Sequence, residues 1–333
     1  MFILMFTVFY HQKQILLLFN LILTVSGQQQ YFRVRPRKTE VIQGQTVDLQ
    51  CHIGNLMGAV QWSKNGFVLG FDPDIPGYPR YSMIVDERRG VYNLRIRETR
   101  LEDEGEYQCQ VGPAPFNHPI RAQARLTVLI PPQQLLLYHR DKRKEVRVVE
   151  AERYSIACFA NNSKPASQLK WYRNDIPIRE DLIPNEQKIV DDKLYTTISA
   201  LQLYAILNDH GAVYTCEASH PALSSPIRSD LTINVLYPPG MPEIEGYHDG
   251  DVIQEGDTLT LACICRGGNP PANLLWYRND VQVDDTFTAN PKETTNVYTF
   301  TVISSDNNSM FRCDAISTIT GHYRTKEVKL TVI

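Results

Sequence analysis

Short runs in which apolar and polar residues alternate recur along the chain, and the repeat of two is typical of β-strands. Because successive side chains of a strand point to opposite faces of its sheet, each run predicts one buried face. Three such runs end on a cysteine: Val47-x-Leu49-x-Cys51, Tyr154-x-Ile156-x-Cys158 and Leu259-x-Leu261-x-Cys263. The pattern predicts an all-β protein with negligible helix content.

The same unit occurs three times along the sequence. Each unit opens with one of these cysteines and closes with a second, and a tryptophan follows the first: Trp62, Trp171 and Trp276. A unit of about 100 residues with Cys…Trp…Cys resembles the immunoglobulin domain, in which two packed sheets are bridged between strands B and F. The resemblance predicts three tandem immunoglobulin-like β-sandwich domains in an extended rod.

The immunoglobulin resemblance also assigns the cysteines. It implies the disulfides Cys51–Cys109, Cys158–Cys216 and Cys263–Cys313. The seventh cysteine, Cys265, follows Cys263 on the same inward strand face, so we favour a buried free thiol. Pairing of Cys265 with Cys313, an intermolecular disulfide and a metal site are the alternatives, although no second pair of metal ligands accompanies it.

Proline pairs mark the predicted domain boundaries. Pro131-Pro132 and Pro238-Pro239 each follow an apolar run that reads as the last strand of a unit. Double prolines stiffen a chain and remove backbone donors, so each pair predicts a hinge in a semi-rigid rod. The predicted division is a signal peptide at 1–27 and domains at 28–130, 131–236 and 237–333.

The first segment predicts export. Lys13 precedes an apolar stretch at residues 15–25, and small residues follow at Ser26 and Gly27, which is a secretory signal pattern. A buried hydrophobic helix or an uncleaved anchor are the alternatives. Export leads to an oxidising compartment, where disulfides form. Two sequons predict N-glycosylation at Asn161 and Asn307.

Composition and motifs exclude several functions. The 333 residues carry 34 basic and 37 acidic side chains, a net charge of −3, so no basic footprint for nucleic acid is present. The sequence contains no P-loop, no Gly-x-Ser-x-Gly and no His-Glu-x-x-His. We therefore predict a binding protein that is not an enzyme and has no cofactor, no metal and no small-molecule substrate.

Strand alternation predicts a binding face on the first unit. If Trp62, Tyr107 and Cys109 point inward, their neighbours on strands C and F point outward, and strands C, F and G share one sheet in this fold. Amides donate and accept hydrogen bonds without the cost of desolvating a charge, which suits a reversible interface. The alternative is an ordinary hydrated sheet face. The candidate partner-binding residues are Gln61, Ser63, Phe67, Gln108, Gln110, Gln123 and Arg125.

Several segments are more specific than the general immunoglobulin pattern. They are Gly58 to Gly66, the Ile75-Pro-Gly-Tyr-Pro-Arg-Tyr81 segment, Tyr107 to Pro113, Cys216 to Leu223, and Arg266 to Pro271 before Trp276. Together they resemble the first three domains of the nephrin family, which includes the sticks and stones and hibris type. The Kirre/roughest (Neph-type) group is the nearest alternative.

The nephrin resemblance implies a function. Members of the family are cell-surface adhesion receptors that bind Kirre/Neph-type immunoglobulin receptors on apposed cells through the C–F–G faces of their first domains. It implies partner-binding roles for Gln61, Gln108 and Gln110, the positions that strand alternation also selects. Homophilic or cis contacts are possible. The sequence shows no transmembrane helix or tail after the third unit, so we expect either a fragment or incomplete gene model of such a receptor or, as the alternative, a secreted decoy or matrix-associated factor.

Overall fold

The computed structural model describes residues 29–138, 145–179, 185–191, 193–319, 321 and 323–333. The predicted signal peptide at 1–27 lies outside the described residues. The only helical pieces in the described ranges are short 3₁₀ turns, at Glu87–Arg89, Leu101–Asp103, Leu207–Asp209 and Ser304–Asp306. No helix in these ranges is long and apolar enough to cross a membrane. The prediction of an all-β protein is confirmed.

The first domain is a sandwich of two sheets. One sheet has the order β1-β4-β8-β3 with β7 beside β8, and the other has the order β2-β10-β9-β5-β6. In immunoglobulin terms, β5, β6, β9 and β10 are strands C, C′, F and G. The strands are β1 (Tyr31–Val34), β2 (Thr39–Ile42), β3 (Val47–Leu49), β4 (His52–Gly54), β5 (Val60–Lys64), β6 (Phe67–Gly70), β7 (Tyr81–Asp86), β8 (Val91–Ile96), β9 (Gly105–Val111) and β10 (Ile120–Leu129).

The second domain repeats this arrangement. Its strands are β11 (Leu135–Tyr138), β12 (Glu145–Val149), β13 (Arg153–Ser163), β14 (Gln168–Arg173), β15 (Ile176–Pro177), β16 (Asn185–Asp191), β17 (Leu194–Tyr204), β18 (Val213–Ser219) and β19 (Ile227–Glu245). One sheet has the order β11-β13-β17-β16, and the other contains β15-β14-β18-β19 with β12 parallel to β19.

The third domain begins on the far end of β19. Its strands are β20 (Thr258–Asn269), β21 (Asn273–Arg278), β22 (Val281–Asp284), β23 (Thr288–Ala289), β24 (Glu293–Thr301), β25 (Met310–Ile316) and β26 (Tyr323–Lys329). One sheet continues from β19 through β20 and β24 to β23, and the other has the order β22-β21-β25-β26.

Each core is built around a disulfide and a buried tryptophan. The bridges are Cys51–Cys109, Cys158–Cys216 and Cys263–Cys313, which confirms the predicted pairing. Each indole nitrogen donates a hydrogen bond to the facing sheet, at 2.9 Å in the first domain, 3.1 Å in the second and 3.3 Å in the third. The polar edge of each tryptophan is therefore satisfied inside the core, as a buried N–H requires.

The second proline pair does not form a hinge. Strand β19 runs unbroken through Pro238-Pro239, pairing with β18 of the second domain and then with β20 of the third. Asn269 strengthens this connection, because its Nδ2 donates to Asn234 Oδ1 at 2.6 Å and to Val235 O at 2.7 Å. A proline has the φ of an extended strand and lacks only the N–H, so a strand edge tolerates it. The predicted hinge at this position is wrong.

The first and second domains also meet through specific bonds. Ile130 and Lys164 exchange two backbone hydrogen bonds, of 2.8 and 2.7 Å. The Lys164 ammonium forms an ion pair with Glu104, which is largely buried. Leu194 of the second domain packs against the core of the first. These contacts hold the first domain in a defined orientation against the second.

Cys265 is a buried free thiol in the structure. Its side chain is fully buried in the third core, and its Sγ lies 3.5 Å from Gly240 O. Among the described residues, no group of His, Cys, Asp or Glu is arranged to hold a metal ion. The structure therefore agrees with the favoured prediction of a buried free thiol at Cys265.

Cys265 is expected to resist alkylation as long as the third domain is folded. The thiolate is the reactive species, and burial raises the pKa of the Cys265 thiol. Iodoacetamide labelling and peptide mapping without reduction should find Cys265 unlabelled in native buffer and labelled in guanidinium chloride. A peptide linking Cys265 to Cys313 would contradict the pairing.

Candidate partner-binding face of the first domain

The outer face of the β10-β9-β5-β6 sheet brings most of the predicted residues together. Register places Gln61 opposite Gln110 and Ser63 opposite Gln108 across β5 and β9. Gln108 lies opposite Gln123 across β9 and β10. The period of two therefore orients these side chains as the sequence predicted, with Trp62 and Cys109 on the inner face.

Three of the glutamines form a hydrogen-bonded lattice. Gln61 Nε2 donates to Gln110 Oε1 at 3.0 Å, and Gln110 Nε2 donates to Gln108 Oε1. Within the described residues, the side-chain atoms Gln61 Oε1 and Gln108 Nε2 make no hydrogen bond. The lattice therefore presents an acceptor at one end and a donor at the other, with its middle held in place.

Ser63 lies beneath this lattice and is almost fully buried. Its side chain points to the outer face, but the residue is only 2% exposed, and its Oγ lies 3.4 Å from Gln110 Nε2. The expectation that Ser63 is an exposed contact residue is wrong, because the long side chain of Gln110 lies across it. Ser63 instead provides the space in which the glutamines lie flat.

Apolar side chains stand on the C′ edge of the face. Phe67 begins β6 and is 77% exposed, and Val68 and Phe71 are also exposed. Lys64 pairs with Phe67 across the β5–β6 turn, and Ser63 pairs with Val68. Val68 therefore gives the neutral lattice an apolar neighbour beside Ser63, and Phe67 is exposed at the start of the same strand.

Arg125 lies apart from the lattice, at the end of the face nearest the second domain. Its Nη2 is 3.7 Å from Glu104 Oε1, the carboxylate that also binds Lys164. Lys64 lies at the same end, where its Nζ donates to Glu102 O at 2.6 Å and burial lowers the pKa of its ammonium. The charged groups are thus engaged at the domain junction and leave the lattice neutral.

The corresponding faces of the other domains are built differently. In the second domain Arg228 stacks on the Tyr172 ring at 5.1 Å and its Nη2 lies 2.6 Å from Glu217. In the third, Arg312 stacks on the Tyr277 ring at 4.8 Å and binds two aspartates. Tyr172 and Tyr277 each follow the core tryptophan, the position that Ser63 holds in the first domain.

The predicted glycosylation sites lie outside the first domain. Asn161 is half-buried on β13, and Asn307 is exposed after a 3₁₀ turn of the third domain. Glycosylation of both remains a prediction. No sequon falls between residues 29 and 130, so an N-linked glycan would not be attached to the glutamine face itself.

One exposed group near this face was absent from the sequence prediction. Phe116, in the loop between β9 and β10, is 90% exposed. The signal was available as Pro115-Phe116-Asn117, a turn-forming proline followed by an aromatic residue.

Comparison with known proteins agrees with this architecture. Sequence profiles match in three places: the immunoglobulin I-set domain at 30–126, the CD80-like C2-set immunoglobulin domain at 141–227, and the immunoglobulin domain at 242–332. Human nephrin is 33% identical over 306 residues, which are 90% of this chain and 24% of nephrin. The chain belongs to the nephrin family of immunoglobulin-superfamily proteins. This nephrin-family chain therefore spans about a quarter of the length of human nephrin.

Other proteins and solved structures also match the nephrin-family chain. Human Kin of IRRE-like protein 1 is 29% identical over 78% of the chain and 33% of its own length. The solved structure of Rst D1-D2 is 29% identical, with a TM-score of 0.58 over 62% of this chain and all of that one. The mouse nectin-like molecule 4 ectodomain has a TM-score of 0.64 at 23% identity, covering 89% of this chain and 98% of its own, which shows the fold alone.

Proposed function

We propose that this chain is the recognition part of a cell-surface adhesion receptor. Its first domain binds the first immunoglobulin domain of a Kirre/Neph-type receptor on an apposed cell. The contact surface is the glutamine lattice of Gln61, Gln108 and Gln110, with Gln123 beside it and Phe67 on its apolar edge. The partner class comes from the nephrin-family resemblance, and the surface comes from the chemistry of the face.

The observation that carries the proposal is the contrast among the three equivalent faces. The second and third domains cover theirs with an arginine stacked on a tyrosine and neutralised by its own carboxylates. Removing water from such groups is costly, because each ion must keep its partners. The first domain instead offers neutral amides with unused donors and acceptors beside exposed apolar side chains. Such a surface can be desolvated at low cost and paired group by group.

The rest of the chain suits a contact between two cells. The junction bonds at Ile130 and Lys164 and the unbroken strand β19 hold the first domain firmly on the other two. A rigid support limits the entropy lost on binding. Contacts that are weak singly become strong when many copies on two surfaces engage together.

Gln108→Asp is expected to weaken binding to the first domain of a Kirre-type receptor about thirtyfold, or about 2 kcal/mol. The shorter carboxylate cannot reach Gln110 Nε2 in the same way, and it places a charge where the interface would be desolvated. Gln61→Ala should cost about 1 kcal/mol, the value of one hydrogen bond. Surface plasmon resonance measures both effects.

Gln50→Asp is the matched control, because Gln50 is an exposed glutamine of the same domain on the opposite sheet. It should bind as the unmodified chain does. All three variants should keep their melting temperatures, since the glutamines of the face and Gln50 lie at the surface. Equal binding by Gln108→Asp and the unmodified chain would remove this face from the proposed function.

A further inference from the structure

The loop between strands F and G projects an aromatic side chain from the end of the first domain. Phe116 is more exposed than any other large apolar side chain in the described ranges, at 90%. Exposure of a full phenylalanine ring forfeits the hydrophobic burial that would otherwise stabilise the domain. The exposed ring of Phe116 does not contribute to the folding of the isolated domain, so its exposure is better explained by an interaction outside the domain.

The backbone at Phe116 also departs from what a phenylalanine prefers. Ala114 and Asn117 exchange two backbone hydrogen bonds, of 3.2 and 2.9 Å, around the pair Pro115-Phe116. Proline fixes a negative φ at the first central position, and Phe116 has φ +63° at the second. This is a type II turn, whose second central position is normally glycine or asparagine because φ must be positive.

Phe116 is unusual among residues with this conformation. Most of the other non-glycine residues that the structure describes with positive φ are asparagine or aspartate, which tolerate the left-handed region. Phe116 is the one aromatic residue among them. Strained residues of this kind persist where the surroundings hold them, and they concentrate at functional sites.

A network from the start of the domain holds the loop in place. Gln29 Nε2 donates to Phe116 O at 2.6 Å, and the Gln30 backbone N–H donates to Asn117 Oδ1 at 2.8 Å. Gln30 Nε2 donates to Gly112 O and His118 O, at 2.9 and 2.6 Å. The loop is therefore a built structure whose tip is fixed in the strained form.

The position of the loop links it to the glutamine lattice. It joins β9 to β10, the strands that carry Gln108, Gln110 and Gln123. A partner that covers the lattice and extends along these two strands reaches the loop tip. Membrane insertion is a poorer match, because a membrane-binding tip is usually flanked by Lys or Arg and residues 112–119 contain neither.

We propose that Phe116 is an apolar anchor that inserts into a pocket on the first immunoglobulin domain of the partner receptor. The inference rests on the proposed function and adds a second, independent contact to the glutamine lattice. A rigid aromatic ring that enters a desolvated pocket is the usual chemistry of a binding hot spot. The turn gives up local backbone preference in order to hold that ring outward.

The test replaces Phe116 with glycine, which the turn prefers. Phe116→Gly is expected to lower affinity for the first domain of a Kirre-type receptor at least tenfold in surface plasmon resonance. The melting temperature should stay unchanged or rise, because glycine adopts this φ without strain. Phe116→Leu keeps an apolar side chain and should retain more affinity than Phe116→Gly. Tyr204→Ser, which removes an exposed aromatic of the second domain, should bind as the unmodified chain does.

The outcomes separate this inference from the proposed function. Full binding by Phe116→Gly together with weak binding by Gln108→Asp would overturn the anchor and leave the glutamine face standing. Full binding by both variants would overturn both proposals. A Phe116-dependent dimer of this chain in sedimentation velocity, or Phe116-dependent binding to phosphatidylcholine–phosphatidylserine vesicles, with full binding of Phe116→Gly to the receptor domain, would assign the ring to another occupant and overturn the inference.

Discussion

Replacing Asp103 with alanine is expected to destabilise the first domain by about 3–5 kcal/mol, the usual cost of breaking a buried ion pair from one side. Asp103 is 1% exposed, and its carboxylate accepts hydrogen bonds from three residues. Arg80 Nη2 lies 2.8 Å from it, Tyr81 Oη 2.6 Å and the Arg100 backbone nitrogen 2.8 Å. Alanine would leave the donors of all three residues without this acceptor.

The cost is large because the group lies where the two sheets meet. The Tyr107 hydroxyl donates to the Asp103 carbonyl oxygen at 2.7 Å and lies 3.1 Å from the Tyr81 hydroxyl. The Asp103 carboxylate therefore holds Arg80, Tyr81 and the turn that leads into strand β9, and Tyr107 joins the cluster through the Asp103 backbone and the Tyr81 hydroxyl. Loss of this carboxylate leaves the Arg80 guanidinium, which is itself mostly buried, short of its main counter-charge.

Urea unfolding of the whole chain measures the effect, with hydrogen exchange of the β9 amides assigning the first-domain transition. Asp48→Ala is the control, because Asp48 on β3 forms a bidentate ion pair with Arg95 on β8, at 2.8 Å, on the solvent-facing side of their sheet. An exposed pair contributes about 0–1 kcal/mol. Equal losses from the two substitutions would show that burial of Asp103 does not matter.

The same cluster predicts how stability depends on pH. Burial acts to raise the pKa of Asp103, but hydrogen bonds from Arg80, Tyr81 and the Arg100 N–H outweigh it, so the pKa lies below its usual value. The ionised form is thus favoured in the folded domain, and its contribution is complete above the unfolded value of about 3.9. The contribution is lost as pH falls through the folded pKa. The stability difference between the unmodified chain and Asp103→Asn should shrink as the pH is lowered through and below the unfolded value, in the same unfolding experiment.

The sequence was sufficient to orient the glutamines of the first domain. Cys109 and Trp62 fix which residues of strands F and C face inward, and the period of two then determines their neighbours. Strand alternation could not show which outward-pointing side chains are covered by their neighbours. Ser63 points outward but is buried, because Gln110 of the adjacent strand folds across it. Alternation gives a direction for each side chain, whereas exposure also depends on the length and rotamer of its neighbours.

Two other features depended on context that a local pattern does not contain. A proline pair usually signals a break, yet Pro238-Pro239 lies inside a strand because β18 and β20 hold the chain extended on both sides. Phe116 breaks the residue preference of its own turn, and Gln29 enforces that conformation from the distant start of the domain. Both cases follow from tertiary hydrogen bonds, which override local preference.

Ser63→Tyr is expected to weaken binding to the Kirre-type domain at least a hundredfold, or about 3 kcal/mol, while changing the melting temperature little. Tyrosine occupies the equivalent position in the second and third domains, so the strand itself accepts it. In the first domain the ring would occupy the space over which Gln110 lies. Gln110 would then lose its contacts with Ser63, Gln61 and Gln108, and the lattice would no longer present a flat, neutral surface.

Ser63→Ala is the control that separates bulk from hydrogen bonding. The Ser63 hydroxyl lies 3.4 Å from Gln110 Nε2, which is a long contact. Removal of the hydroxyl should therefore weaken the binding free energy by less than one ordinary hydrogen bond contributes, which is about 0.5–1.5 kcal/mol. Surface plasmon resonance against the receptor domain, with thermal unfolding of each variant, gives both quantities. If Ser63→Tyr binds as tightly as the unmodified chain, the partner does not bind through the glutamine lattice. Weak binding by Ser63→Ala as well would mean that the hydroxyl, rather than the space it leaves, sets the position of Gln110. The difference between Ser63 and the equivalent Tyr172 and Tyr277 would then lie in the hydrogen bonds that each side chain makes and not in its size.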